Sequence, residues 1–189
     1  RMLFPPDFSP RKKYPTIIHV YGGPHYQNVT NEWMCGFDLQ SYILAAQGYI
    51  IFALDNRGSA NRGMEFESIT HTQLGKIEML DQKCGIDYLK SLRFIDIDKI
   101  GVYGWSFGAF MAITLLANYS DDIAVAVAGN PVIDWKFYEA MYGERYMNTP
   151  QENPEGYAQT SLLTQVQNIQ GSLLLIVGGS DIVTVPNQS

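Results

Sequence analysis

The sequence predicts an α/β protein built on one mostly parallel sheet with helices on both faces, and three observations predict it. Short apolar runs alternate with stretches of helical character along the whole chain, the order expected of β-α-β units. Several of those runs are apolar at consecutive positions, as strands buried on both faces are. One run, Lys99-Ile100-Gly101-Val102-Tyr103, passes through Gly104-Trp105-Ser106-Phe107-Gly108 straight into a helix-forming stretch. That is a strand, a sharp turn and a helix in immediate succession.

Taken in order, strands are expected at 16–21, 49–54, 99–103, 123–128 and 172–177, and helices at 37–47, 75–92, 107–119, 135–142 and 157–166. The strands are the runs of Ile, Val, Ala, Leu and aromatic residues. The helix at 107–119 is rich in good helix formers and has Asn118 near its end. In 75–92 the apolar residues Leu80, Cys84, Ile86, Tyr88 and Leu89 only roughly share one face, which leaves its boundaries soft. In 135–142, Trp135, Tyr138 and Tyr142 fall at i, i+3 and i+7 on one helical face; such a stripe suits a core as well as a pocket wall. Thr149-Pro150-Gln151-Glu152-Asn153-Pro154 reads as a surface loop, rich in turn formers. No repeat or linker divides the chain, so residues 1–189 read as one domain.

Composition narrows the function classes. Hydrophobic residues make up 46% of the chain and charged ones 17%, a packed globular composition. The formal net charge of −6, with Arg11-Lys12-Lys13 as the one basic cluster, argues against a nucleic-acid surface. Cys35 and Cys84 are too few for a disulfide framework and have no Cys/His ligand spacing, so neither a metal site nor a cofactor is expected. The longest apolar runs fall far short of a membrane span. The opening Arg1-Met2-Leu3-Phe4-Pro5-Pro6 reads like the interior of a longer polypeptide, and the compartment is not legible.

The chemistry starts at Ser106. Glycines two residues to either side allow a turn tight enough to strain the serine backbone and push its hydroxyl out over the sheet. The helix behind it aims free N–H groups at the same place. The pentapeptide alone arises by chance in roughly one chain of this length in twenty; strand before and helix after make it a nucleophile elbow, the signature of the α/β-hydrolase fold.

Ligands of such sheets bind beyond the carboxyl ends of the strands, where further features fall. Asp181 follows the last strand in Gly178-Gly179-Ser180-Asp181, and α/β-hydrolases order their triad as Ser, then Asp or Glu, then His. An Asp there also suits a turn or a helix cap. Val20-Tyr21-Gly22-Gly23-Pro24 follows the first strand, where backbone and the Tyr21 side chain can approach a substrate; a plain turn is the other reading. His19, His25 and His71 all precede Ser106, so none has the chain order of a triad base. The simplest account is a sheet truncated before its last βα unit, the unit that carries the histidine beyond Ser189.

Six stretches together resemble the catalytic domain of the prolyl oligopeptidase family of serine peptidases, in its dipeptidyl peptidase IV branch. They are Val20-Tyr21-Gly22-Gly23-Pro24, Asp55-Asn56-Arg57-Gly58-Ser59, Gly104-Trp105-Ser106-Phe107-Gly108, Pro131-Val132-Ile133-Asp134-Trp135, Glu144-Arg145-Tyr146-Met147 and Leu174-Leu175-Ile176-Val177-Gly178. They occur in the family's order and cover nearly the whole chain. The resemblance implies Ser106 as acylated nucleophile, Asp181 as triad acid, and the Tyr21 hydroxyl with the Phe107 N–H as oxyanion hole. It implies that Val132, Trp135, Tyr138 and Tyr142, with the Phe107 ring, wall a pocket for a proline side chain. A flat pyrrolidine packs well against aromatic faces and brings no donor to satisfy.

It further implies peptide substrates, a β-propeller before this domain, and a homodimeric full-length protein in a periplasmic, secreted or membrane-anchored setting. The chain alone is then expected to be inactive. An acylaminoacyl peptidase or a carboxylesterase of the same fold is the alternative enzyme, and a non-catalytic binding relative the alternative class. The chain departs from the family where Asp181 is followed by Ile182-Val183-Thr184-Val185. Val183 falls where relatives often place a polar side chain against the substrate carbonyl, and Val177 where many have His.

Overall fold

The structure is a computed structural model, and it describes residues 1–181 together with 183 and 184. Ile182 and Val185, named among the departures above, lie outside the described residues. Among the described residues six strands form one sheet in the order β1-β3-β2-β4-β5-β6: β1 (Met2–Leu3), β2 (Tyr14–His19), β3 (Ile50–Phe52), β4 (Ile95–Trp105), β5 (Val125–Gly129) and β6 (Ser172–Ile176). All neighbours run parallel except β1, which pairs antiparallel with β3. From β2 the chain steps one way to β3 and then returns to the other side as β4. The topological switch point therefore lies between β2 and β4, where open α/β sheets bind ligands.

Helices α1 (Leu39–Ala46), α2 (Met64–Ser68), α3 (Lys76–Ser91), α4 (Phe107–Asn118), α5 (Ala140–Met147) and α6 (Pro154–Thr160) connect the strands. The main core lies between the sheet and α3 and α4. Ile18, Ile50, Ile100, Val102 and Ala126 face Ile86, Leu89, Phe110, Met111 and Leu115 there. Every residue of α4 from Phe107 to Ala117 is buried, as befits a helix apolar all round. On the opposite face α1 covers Ile51 and Ala53 with Phe37 and Ala45. Beside it, over β4, β5 and β6, the same face opens into a cavity of about 590 Å³ lined by Ile17, Tyr103, Trp105, Val127 and Ile176. Both faces thus carry helices, but among the described residues only part of the α1 face is covered.

Two expected helices form differently. The run at 135–142 breaks into a 3-10 turn, Trp135–Phe137, and α5, with Tyr138 extended between them at φ −82°, ψ 163°. Asp134 caps the turn by accepting the Lys136 N–H at 2.9 Å and is itself held by the Ser161 hydroxyl at 2.7 Å. Phe and Tyr are indifferent helix formers, so ring packing decides the local backbone. The helix expected at 157–166 starts earlier, as α6. Asn153 accepts the Gly156 N–H at 3.1 Å and Pro154 sits in the first turn, an N-cap and proline pair hidden in what reads as loop. It ends at Thr160 in two 3-10 turns, Leu162–Thr164 and Val166–Asn168. The two-residue β1 and five-residue α2 are too short to leave a periodic signal.

Candidate active site

Ser106 sits between the end of β4 and the start of α4 at φ 56°, ψ −117°, a conformation costly for a residue with a Cβ and characteristic of functional turns. Two close approaches explain the flanking glycines. A Cβ on Gly104 would lie 2.1 Å from the Gly108 carbonyl oxygen, and one on Gly108 would lie 2.3 Å from that of Val20. The turn thus closes on itself at Gly104 and packs against the end of β2 at Gly108. The Ser106 N–H donates to the Gly129 carbonyl at 2.8 Å, fastening the turn to β5. The side chain is half-buried at the carboxyl edge of the sheet.

Phe107 opens α4, so its N–H has no intrahelical acceptor and is left for another partner. Tyr21 lies beyond the end of β2, with its ring 6.0 Å from Phe107 and 4.3 Å from Tyr26. Burial first, then the neighbouring Tyr26 and Tyr146, push the Tyr21 phenol above its usual range, so it stays protonated and able to donate. The Tyr21 loop is anchored by Asn56, a buried side chain that donates to the Gly22 carbonyl at 2.9 Å and accepts from Gln82 at 2.9 Å.

Trp135 is 2% exposed and Val132 1%, which makes both part of the core as well as the wall of any cleft above it. The Trp135 ring lies 5.4 Å from Phe107, 5.4 Å edge-on from Tyr138, and 5.8 Å from Tyr142, nearly parallel to it at 17°. Tyr142 in turn meets Tyr146 at 4.8 Å. Tyr138 and Tyr142 are only partly buried, so the rings, joined to the serine turn through Phe107, converge on an open side. They do so across the break before α5, not along one helical face as the spacing predicts. Burial raises the phenols of both Tyr138 and Tyr142, leaving an aromatic, neutral surface.

Asp181 follows β6 and is partly exposed. Its Oδ1 accepts the N–H groups of Val183 at 2.8 Å and Thr184 at 3.1 Å, and its Oδ2 accepts the Thr184 hydroxyl at 3.1 Å. The two backbone donors hold the carboxyl below its usual range, so it is an anion at neutral pH. It is joined by Asn130, whose amide donates to Oδ2 at 2.6 Å.

Among the described residues no histidine hydrogen-bonds Ser106. His19 packs on the α1 face between Phe37 and Tyr103, and its burial lowers its basicity. His25 is exposed, its ring 5.6 Å from Tyr146, and His71 is exposed in a turn. Asn130 is the site residue that sequence reasoning passes over, while Asn56 and Tyr146 enter it only within two of the six resembling stretches, without a role of their own. The signal for Asn130 is an Asn-Pro pair at a strand end, which reads as a turn.

Residues 35–189 match the family model described as the prolyl oligopeptidase family. Human dipeptidyl peptidase 8 is 41% identical over 185 residues, which cover 95% of this chain and 21% of that protein. A solved Bacteroides ovatus structure, described as a dipeptidyl aminopeptidase IV, aligns with a TM-score of 0.97 and 48% identity over 99% of this chain and 26% of that one. Dipeptidyl peptidase 4 of Porphyromonas gingivalis aligns with a TM-score of 0.89 and 33% identity over the same shares, 99% and 26%. The chain spans about a fifth to a quarter of the length of these relatives.

Proposed function

The chain belongs to the prolyl oligopeptidase family, in its dipeptidyl peptidase IV branch, and we propose that it forms most of the catalytic domain of a serine peptidase that cleaves after proline. The observation that carries this reading is the strained Ser106 at the switch point, with the start of α4 behind it and the Trp135–Tyr142 rings joined to that helix start through the Phe107 ring. In this reading Ser106 Oγ attacks the carbonyl carbon of the scissile peptide and passes its proton to a histidine beyond Ser189, which Asp181 orients. The oxyanion takes hydrogen bonds from the Phe107 N–H and the Tyr21 hydroxyl. Collapse returns the proton to the leaving amine, forms the acyl-enzyme, and water then releases the acid.

A proline ring fits between the Trp135, Tyr138 and Tyr142 faces with Val132 behind them, since an apolar ring loses no hydrogen bond there. A β-propeller ahead of this domain and a homodimeric intact protein belong to the same reading. Val183 offers only its apolar side chain where relatives often present a polar one, so the backbone and Tyr21 carry more of the hold on the substrate.

The test uses the intact protein. A fluorophosphonate probe should label it at Ser106, and Ser106→Ala should abolish labelling and lower kcat by at least about 10⁴ without loss of fold. Xaa-Pro substrates should turn over faster than acylaminoacyl or simple ester substrates. Near-normal turnover in Ser106→Ala sinks the peptidase reading. Labelling with a preference for esters or acylated amino acids moves the protein to a carboxylesterase or an acylaminoacyl peptidase, and no labelling moves it to a binding relative.

A further inference from the structure

Asn130 is the residue just past β5, and it stands in the left-handed region at φ 45°, which Asn tolerates better than most side chains. It is 7% exposed. Its main-chain N–H donates to the Ile176 carbonyl at 2.7 Å, one residue along from the Gly129 carbonyl that accepts the Ser106 N–H at 2.8 Å. Its side chain then spans the loop after β6. Oδ1 accepts the Gly178 N–H at 2.6 Å, and Nδ2 donates to Asp181 Oδ2 at 2.6 Å. One side chain thus ties both ends of the Gly178–Asp181 loop to the strand end that fastens the serine turn.

Such a tie does two things. It fixes the carboxylate relative to Ser106 through a short covalent and hydrogen-bonded path, Ser106 to Gly129 to Asn130 to Asp181. It also fills one acceptor direction of Oδ2, the oxygen that takes the Thr184 hydroxyl as well. A carboxylate offers about four acceptor directions, and Val183, Thr184 and Asn130 supply four donors. An imidazole N–H therefore arrives at a carboxylate that is still an anion but whose acceptor directions are already largely filled. The hydroxyl of Thr184 is the donor free to rotate away, while the Asn130 amide, held at its other end by Gly178, is not.

We propose that Asn130 is a positioning residue of the catalytic centre: it sets the place of Asp181 relative to Ser106 and, by donating to Oδ2, tempers how strongly that carboxylate stabilises the charged histidine. The inference rests on the reading of Ser106 and Asp181 as triad members. The titratable groups concerned are Asp181 itself, the Tyr138 phenol that senses it from the segment before α5, and the histidine it would orient.

The experiment compares Asn130→Gly, Asn130→Asp and Asp181→Ala in the intact protein with an Xaa-Pro substrate across pH 5–9. Glycine keeps the left-handed backbone without strain and removes only the amide. A carboxylate that loses a donor becomes more basic and holds an imidazolium better. Asn130→Gly is expected to move the acid limb of the kcat/KM profile up by about half a unit to one unit, and to lower kcat roughly 10- to 100-fold with KM within about threefold. Asn130→Asp keeps an acceptor for Gly178 but sets a second carboxylate against the first. It should move the acid limb at least as far, although the loop stays tied.

The inference is overturned if Asn130→Gly lowers the melting temperature or raises KM while the acid limb and kcat stay put, since that is a purely structural tie. An unfolded Asn130→Gly leaves the decision to Asn130→Asp, where an unmoved acid limb overturns the inference too. Asp181→Ala separates this from failure of the triad reading. If it keeps kcat within about tenfold, Asp181 is not the triad acid and the larger reading falls; if it lowers kcat by about 10⁴, only the role of Asn130 is at stake.

Discussion

Glu78 is the group in this chain whose replacement should make the protein more stable, and only above a definite pH. It lies in the first turn of α3, fully buried, with Oε2 accepting the Gly75 N–H at 2.9 Å and Oε1 without a partner among the described residues. Burial, opposed by the Gly75 and Glu78 backbone donors and aided by the nearby Asp81 charge, raises its carboxyl from 4.5 to about 8. The Tyr142 phenol senses the same group from α5. The folded pKa is the higher one, so the folded state binds more protons than the unfolded state between those values. Stability from this group is complete below the unfolded pKa of 4.5 and is lost as pH rises through about 8. At 1.36 kcal/mol per unit, ionisation of the unfolded chain costs the folded state about 1 kcal/mol at pH 5 and about 4 kcal/mol at pH 7.5.

Gln at this position keeps an acceptor for Gly75 and cannot ionise. The stability gap between Glu78→Gln and wild type should therefore widen by about 3 kcal/mol from pH 5 to pH 7.5. For a domain of this size that corresponds to roughly 6–12 °C in melting temperature. Calorimetry of the intact protein and its variant at both pH values measures it, because every other titrating group cancels in the difference. A gap that is the same at both pH values would refute the reasoning, and so would a variant less stable at both.

Two further predictions concern the cleft. Tyr21→Phe should lower kcat by about 10²–10³ with KM nearly unchanged, because a hydrogen bond to the oxyanion strengthens only in the transition state; steady-state kinetics that show a change confined to KM would assign Tyr21 to ordinary substrate contact. Tyr142→Ala and Trp135→Ala should each cost roughly 1–3 kcal/mol in kcat/KM for a Pro substrate and narrow its advantage over larger residues. Equal losses for every residue at that position would instead report collapse of the buried Trp135 cluster.

The parts of the fold legible in the sequence are those where a local pattern and the tertiary environment agree. Ile50-Ile51-Phe52 is apolar at each position because α1 covers one face of the sheet and the main core covers the other. The stretch after Ser106 reads as a helix because α4 is buried along nearly its whole length. Ser106 is legible for a different reason: backbone collisions at Gly104 and Gly108 restrict those positions to glycine, and the restriction leaves a mark in the sequence. The aromatic stripe is misread because Trp135 and Tyr142 stack face to face across a backbone break. Ring packing outweighs helical continuity there, and spacing carries no trace of it. Asn130 is not legible at all, since its partners Gly178 and Asp181 lie 48 and 51 residues away.

What brings those distant residues together is strand register. Trp105 pairs with Gly129, and Gly129 pairs with Ile176, so β4, β5 and β6 end level with one another. The next residue on each of the first two strands continues the ladder: Ser106 donates to Gly129, and Asn130 donates to Ile176. On the other side His19 pairs with Tyr103, and the Val20 N–H donates to the Tyr103 carbonyl at 3.0 Å, which puts Tyr21 beside the serine turn. A slip of one residue in any of these pairings would turn the alternate side chains to the wrong face of the sheet. It would also carry Ser106, Tyr21 or the Asp181 loop about 3.3 Å along its strand, far beyond the tolerance of a hydrogen-bonded site. The buried, two-faced strands that make the fold easy to read are therefore also what fixes the site. Their apolar contacts hold the register, and the register places the polar groups.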